Sequence, residues 1–151
     1  MKKIVFVLLG LLIVNLNAEI YKMTIPLDID GLGNNKIVYN GQSYNITKII
    51  VIGNYIHSGG HYWIPIGRKE IPLTSAGIHE TIVFEKHGPE FSEGQMSHSG
   101  LDVQVAFSTA DNICFVKANA SVSGCNNIED TNFATFAQSY KIRSGVSITK
   151  Q

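Results

Sequence analysis

The chain alternates apolar and polar positions in short runs, and glycine, proline or asparagine turns separate them. Residues 20–26 alternate through Ile20, Tyr21, Lys22, Met23, Thr24 and Ile25 and predict an opening strand. Residues 28–35 hold Asp-Gly, Gly-Asn and Asn-Asn pairs and predict a turn. Their Asp-x-Asp-Gly beginning matches the start of a calcium loop, but no acidic residue closes the far end, so a turn is the reading. Residues 36–39 and 43–52 flank Asn40-Gly41, the strongest short hairpin signal, because both turn residues must take positive φ. The second run holds Ile49, Ile50, Val51 and Ile52 in succession. Four consecutive apolar residues predict burial on both faces, hence a strand inside a sheet. Residues 62–66 predict its partner, with Pro65 at an edge or a bulge because proline cannot donate a ladder hydrogen bond.

The second half continues the pattern. Residues 78–86 alternate and stop at His87-Gly88-Pro89, and residues 91–100 form a polar loop. Residues 101–108 place Leu101, Val103, Val105 and Phe107 on one face, and Asp102, Gln104, Ala106 and Ser108 on the other. After a turn at Ala110-Asp111-Asn112, residues 113–122 return, which predicts an antiparallel hairpin with one wet face. Residues 126–132 are polar. Thr131 can cap a short helix over 132–139, where Phe133, Phe136, Ala137 and Tyr140 recur three or four apart; the same residues can also extend a strand. Val146 and Ile148 mark a terminal strand. The succession predicts a mainly β fold, an antiparallel β sandwich or barrel with at most one short helix near the C-terminus.

The first eighteen residues read differently. Lys2 and Lys3 precede an apolar run from Ile4 to Val14, and Leu16-Asn17-Ala18 precedes Glu19. This is the pattern of a secretory signal peptide over 1–18, leaving 19–151 as a single β-rich secreted domain. The run falls short of the ~20 apolar residues that span a bilayer, so no transmembrane segment is expected after cleavage. The expected location is secreted or periplasmic. There, Cys114 and Cys125, the only two cysteines, predict a disulfide. Twelve basic residues balance twelve acidic ones, and losing Lys2 and Lys3 leaves a slight acidic excess. Nothing in that balance favours nucleic acid or an anionic membrane as a partner.

Candidate chemistry concentrates in the glycine-rich stretch 54–63. Asn54, Tyr55, His57, His61, Tyr62 and Trp63 are the candidate ligand-binding residues, because aromatic rings with polar tips suit recognition. A turn can bring His57 and His61 together, with His79 or Glu80 as a third metal ligand. No glutamate follows His57 as in zinc proteases, and exposed turn histidines are the expected reading, with no metal. Tyr44-Asn45-Ile46, the apolar run, His57-Ser58-Gly59 and Gly60-His61-Tyr62-Trp63 resemble the histidine box of the ubiquitin-specific cysteine proteases, whose general base would be His61. That family's nucleophilic cysteine lies upstream of the box, and this chain has no cysteine before Cys114, so the resemblance carries no protease mechanism. No Gly-x-Ser-x-Gly elbow and no phosphate-binding glycine loop is present, and no cofactor is expected. Glu80, Glu85, Glu90 and Glu93 read as solvated surface rather than a glycosidase pair. Asn45 and Asn119 begin glycosylation acceptor sequences, which matter only in a eukaryotic source.

These readings converge on an exported binding module, not an enzyme, that recognises a sugar or a protein surface through the 54–63 turn. The alternatives are a small exported inhibitor or immunity protein, a toxin's receptor-binding subunit, and a histidine-dependent hydrolase using His61. The Cys114–Cys125 hairpin, the short helix and the closing strand, about the last forty residues, resemble the oligosaccharide-binding-type B subunits of bacterial toxins, and that resemblance implies the receptor-binding alternative.

Overall fold

The computed structural model describes residues 20–29, 35–56, 63–87, 100–130 and 147–150. They form ten strands: β1 (Ile20–Ile29), β2 (Lys36–Tyr39), β3 (Gln42–Asn45), β4 (Lys48–Ile56), β5 (Trp63–Pro72), β6 (Ile78–His87), β7 (Gly100–Ser108), β8 (Ile113–Lys117), β9 (Asn126–Asp130) and β10 (Ser147–Lys150). The fold is all β among the described residues, and no barrel closes there. A three-stranded sheet, β10-β1-β6, faces a five-stranded sheet, β5-β4-β7-β8-β9, and β2 and β3 form a separate hairpin.

Alternation builds the interface between the sheets. Tyr21, Met23, Ile25, Leu27 and Ile29 of β1 are buried, and the residues between them are half-exposed. Ile82 and Phe84 of β6, Ile49 and Val51 of β4 and Phe107 of β7 join them in one core. The two sheets approach each other closely at two glycines. Gly53 and Gly67 are cross-strand partners in β4 and β5. The space their side chains would fill is taken by Met23 and Phe84, themselves partners in β1 and β6.

The outer face of β4 is also covered. Ile50 packs with Ala106, Cys114, Val116 and Val122, and Ile52, Ala120 and Cys125 lie against this second cluster. Its cover is the connection 118–125 between β8 and β9, which run parallel. Parallel neighbours usually need a dozen or more connecting residues. This shorter one is held at several points. The Cys114–Cys125 disulfide joins α-carbons 5.6 Å apart. The Asn127 amide takes a hydrogen bond from Val122 N–H (3.0 Å) and donates one to Val122 C=O (3.1 Å), standing in for a strand neighbour. The Arg68 guanidinium donates to Ser123 C=O at 2.9 Å.

Several expectations meet this architecture directly. Asn40 and Gly41 have φ of 49° and 79° and link β2 to β3 as a two-residue hairpin turn. β4 lies between β5 and β7, as its apolar run requires. Pro65 is both on an edge strand and beside a bulge, since Asn54 pairs with Pro65 where Gly53 pairs with Gly67. The disulfide joins the two expected cysteines.

Others are corrected. The run 43–52 is two strands, because at Ile46 and Thr47 the chain changes partners: Ile46 N–H bonds Asn35 C=O and Thr47 N–H bonds Ser108 C=O. β1 continues through Asp28 to Ile29, because Leu27 and Ile29 extend its buried face. The strand after Asn112 stops at Lys117, and Val122 lies in the connection. Cys125 therefore sits in a crossover between parallel strands, not on the return arm of a hairpin. The polar stretch at 126–130 is a strand. The helix expected at 132–139, the loop at 91–99 and the signal segment at 1–18 lie outside the described residues.

A surface network fastens the crossover side of the molecule. Lys48 donates to Glu70 (2.9 Å) and to Asn112 Oδ1 (2.9 Å), and Arg68 donates to Glu70 at 2.7 Å. The hydrogen bond from Lys48 holds the Glu70 carboxyl below its ordinary value, partial dehydration opposes this, and the charges of Lys48 and Arg68 add to it. Folding lowers this pKa, so the contribution is present above the unfolded-state value and is lost as pH falls through the folded one. The melting-temperature gap between wild type and Glu70→Gln should be widest near neutrality and close in acid. A gap that widens on acidification would refute the pairing.

Candidate ligand-binding cleft

Strand β4 carries the first candidate residues. Its inner face runs Ile49, Val51, Gly53, Tyr55, and its outer face Ile50, Ile52, Asn54. This alternation divides two residues that the sequence grouped together. Tyr55 is 1 % exposed and packs with Tyr21 between the sheets, so it is a core residue and not part of a displayed turn. Asn54 is 6 % exposed on the opposite face. β4 reaches Ile56 and β5 starts at Trp63, so the connecting turn is shorter than 54–63. His57, His61 and Tyr62 lie outside the described residues, and Trp63 is placed as the first residue of β5, paired with Ile56.

Asn54 lines a cleft of about 390 Å³ together with Gln104, Asn119 and Ser121, within the ~300–1,000 Å³ range of small-molecule sites. Asn54 and Gln104 come from neighbouring strands of the sheet, and Asn119 and Ser121 from the crossover. The crossover wall is positioned by backbone bonds: Asn119 has φ of 63°, its N–H donates to Glu129 Oε2 at 3.1 Å, and Ala120 N–H turns back to Lys117 C=O at 2.9 Å. Among the described residues, none of the four side chains has a hydrogen-bond partner in the protein. The lining thus offers three carboxamides and a hydroxyl, which can both donate and accept.

Gln104 could be found from the polar face of the alternating run 101–108. Asn119 and Ser121 had a weaker signal, a polar stretch between two cysteines, and only the crossover brings them to the sheet.

A second depression of about 350 Å³ is lined by Pro26, Leu27, Asp28, His79, Glu80 and Thr81. His79 directs Nδ1 to the Asp28 carboxylate and Nε2 to Ala76 C=O at 3.2 Å. Glu80 instead pairs with Lys69 at 3.1 Å. The two residues considered as third metal ligands therefore point to different partners. Among the described residues no group of three or more His, Cys, Asp or Glu side chains is arranged to hold a metal. No helix among them is long and apolar enough to cross a membrane.

No family model matches the chain, and no curated protein or solved structure is significantly similar to it.

Proposed function

We propose that this chain is an exported binding module that holds a sugar in the cleft between the five-stranded sheet and the disulfide-closed crossover. The carrying observation is Asn54, a largely buried side chain with no protein partner whose amide opens onto the cleft. An amide held on a stiff strand at a cleft, with no partner in the fold, keeps its donors and its acceptor for a ligand. Sugars present many hydroxyls that donate and accept, which is the complement of three amides and a serine hydroxyl. Export is supported by the lysine-then-apolar N-terminal pattern and by the disulfide, a bond that persists in oxidising compartments.

Saturation-transfer NMR against a panel of mono- and disaccharides tests the reading. At least one sugar should bind the wild type, and Asn54→Ala should remove that binding. The melting temperature should change little, because the amide has no partner in the fold to lose. Absence of any sugar binding would overturn the assignment. So would binding that Asn54→Ala leaves intact. Hydrolysis of a bound substrate that His61→Ala abolishes would replace binding with catalysis.

A further inference from the structure

We propose that His79 is a pH-sensing clasp: its doubly protonated, cationic ring ties the corner between the two sheets to β1, and loss of one proton as pH rises releases the tie. The clasp is independent of the sugar-binding reading. The corner is the turn at 74–77, which leads from β5 of the five-stranded sheet to β6 of the three-stranded one. It closes on itself through Gly77 N–H to Thr74 C=O (3.1 Å) and through the Thr74 hydroxyl to Gly77 C=O (3.2 Å). His79 stands just beyond it on the exposed face of β6, as the cross-strand partner of Asp28 in β1.

The ring lies between two acceptors. Nδ1 faces the Asp28 carboxylate, and Nε2 faces Ala76 C=O at 3.2 Å. A neutral imidazole carries one N–H, so one of its nitrogens would turn a lone pair toward an oxygen; only the imidazolium donates to both. The Asp28 side chain is 20 % exposed, so water screens its charge only in part. The surrounding charges do not oppose the cation. Glu80, on the other face of β6, pairs with Lys69 of β5 at 3.1 Å, and further along the His79 face Lys22 of β1 pairs with Glu85 at 3.2 Å. The side chains of 74–77 are neutral. Asp30, the one charged residue in 30–34, lies outside the described residues and has the sign of Asp28. The fold therefore binds the second ring proton more tightly than the unfolded chain does. The clasp is fully present below the unfolded-state value of ~6.5 and is lost as pH rises through the higher folded one. This is the reverse of the dependence at Glu70.

Proton and nitrogen NMR of the imidazole rings, followed through a pH titration of the full chain, tests the clasp. His79 should titrate above the ~6.5 of an unperturbed histidine, with both ring nitrogens still protonated at that pH. Asp28→Asn keeps an acceptor and removes the charge, so the midpoint should fall back toward ~6.5. Protection of the Gly77 amide against exchange, corrected for its intrinsic rate, should drop roughly two- to fivefold as pH passes the His79 midpoint, the scale of an exposed charge pair. His79→Gln should abolish that step. If the glutamine variant does not fold, Asp28→Asn supplies the comparison, because the step must move with the midpoint. A His79 midpoint at or below the unperturbed value would overturn the proposal. So would a midpoint that Asp28→Asn leaves unmoved, or Gly77 protection that does not follow the charge on the ring.

Discussion

Gly67→Ala should be among the most destabilising single substitutions in this protein. A β-carbon at Gly67 would stand 2.3 Å from Phe84 Cδ1, 2.4 Å from its Cγ and 2.9 Å from its Cβ. Those atoms are the base of a ring on β6, and the ring cannot leave without moving the strand. Overpacking a core usually destabilises by ~1–3 kcal/mol, and a clash with the stem of a buried aromatic belongs at or above the top of that range. For a domain of this size, each kcal/mol lowers the melting temperature by roughly 2–4 °C, so a fall on the order of 10 °C is expected. Gly53→Ala makes the instructive contrast. Its nearest neighbour would be Met23 Sδ at 2.6 Å, the far end of a flexible side chain, with Phe84 Cδ2 at 3.0 Å. Methionine can repack where the ring base cannot, so Gly53→Ala should be the milder change. Phe84→Leu in the Gly67→Ala background should recover part of the loss, a coupling that a double-mutant cycle measures. A Gly67→Ala protein that melts with the wild type would mean that the sheets do not meet at this point.

These glycines also show where a sequence stops being readable. Alternation, turn pairs and the run Ile49–Ile52 announced the hairpin, the central strand and a two-sided burial, because each is a local property of the chain. Gly53 ends the apolar run that marked β4, so Asn54 and Tyr55 read as the start of one displayed turn rather than as strand residues facing opposite ways. Only the packing of Met23 and Phe84 explains why a glycine stands there. β9 was missed for a related reason. Asn126-Asn127-Ile128-Glu129-Asp130 has little intrinsic strand preference, and it is a strand because β8 pairs with it. Its polar side chains are used, Asn127 on Val122 and Glu129 on Asn119. The cleft inherits the same limit. Gln104 was visible on a polar face, but its meeting with Asn119 and Ser121 depends on a parallel crossover whose shape no short-range pattern encodes.

That crossover supplies the other large expected effect. Replacing both cysteines, as Cys114→Ala with Cys125→Ala, should lower stability by about 3 kcal/mol, the chain-entropy value for a loop of this order. The corresponding drop in melting temperature is roughly 6–12 °C. Two features argue against a smaller effect. Cys114 is fully buried in the cluster with Ile50, Ala106, Val116 and Val122, so its sulfur is part of the packed layer under the cover as well as the link. The connection 118–125 is also short for a parallel crossover, and the bond fixes its end beside β8. The core between the two sheets uses neither cysteine, so the variant should still fold. Its loosening should be local. Amide exchange should accelerate across 118–125 and at Ile50 and Val116, while Met23, Ile25 and Ile49 stay protected. Asn119 and Ser121 form the crossover wall of the cleft, so on the proposed sugar-binding reading affinity should fall along with this local protection while the sheet residues Asn54 and Gln104 keep their places. If the double variant melts with the wild type, and exchange in the crossover is unchanged, then the hydrogen bonds of Asn127 and Arg68 hold the cover alone and the disulfide adds nothing to it.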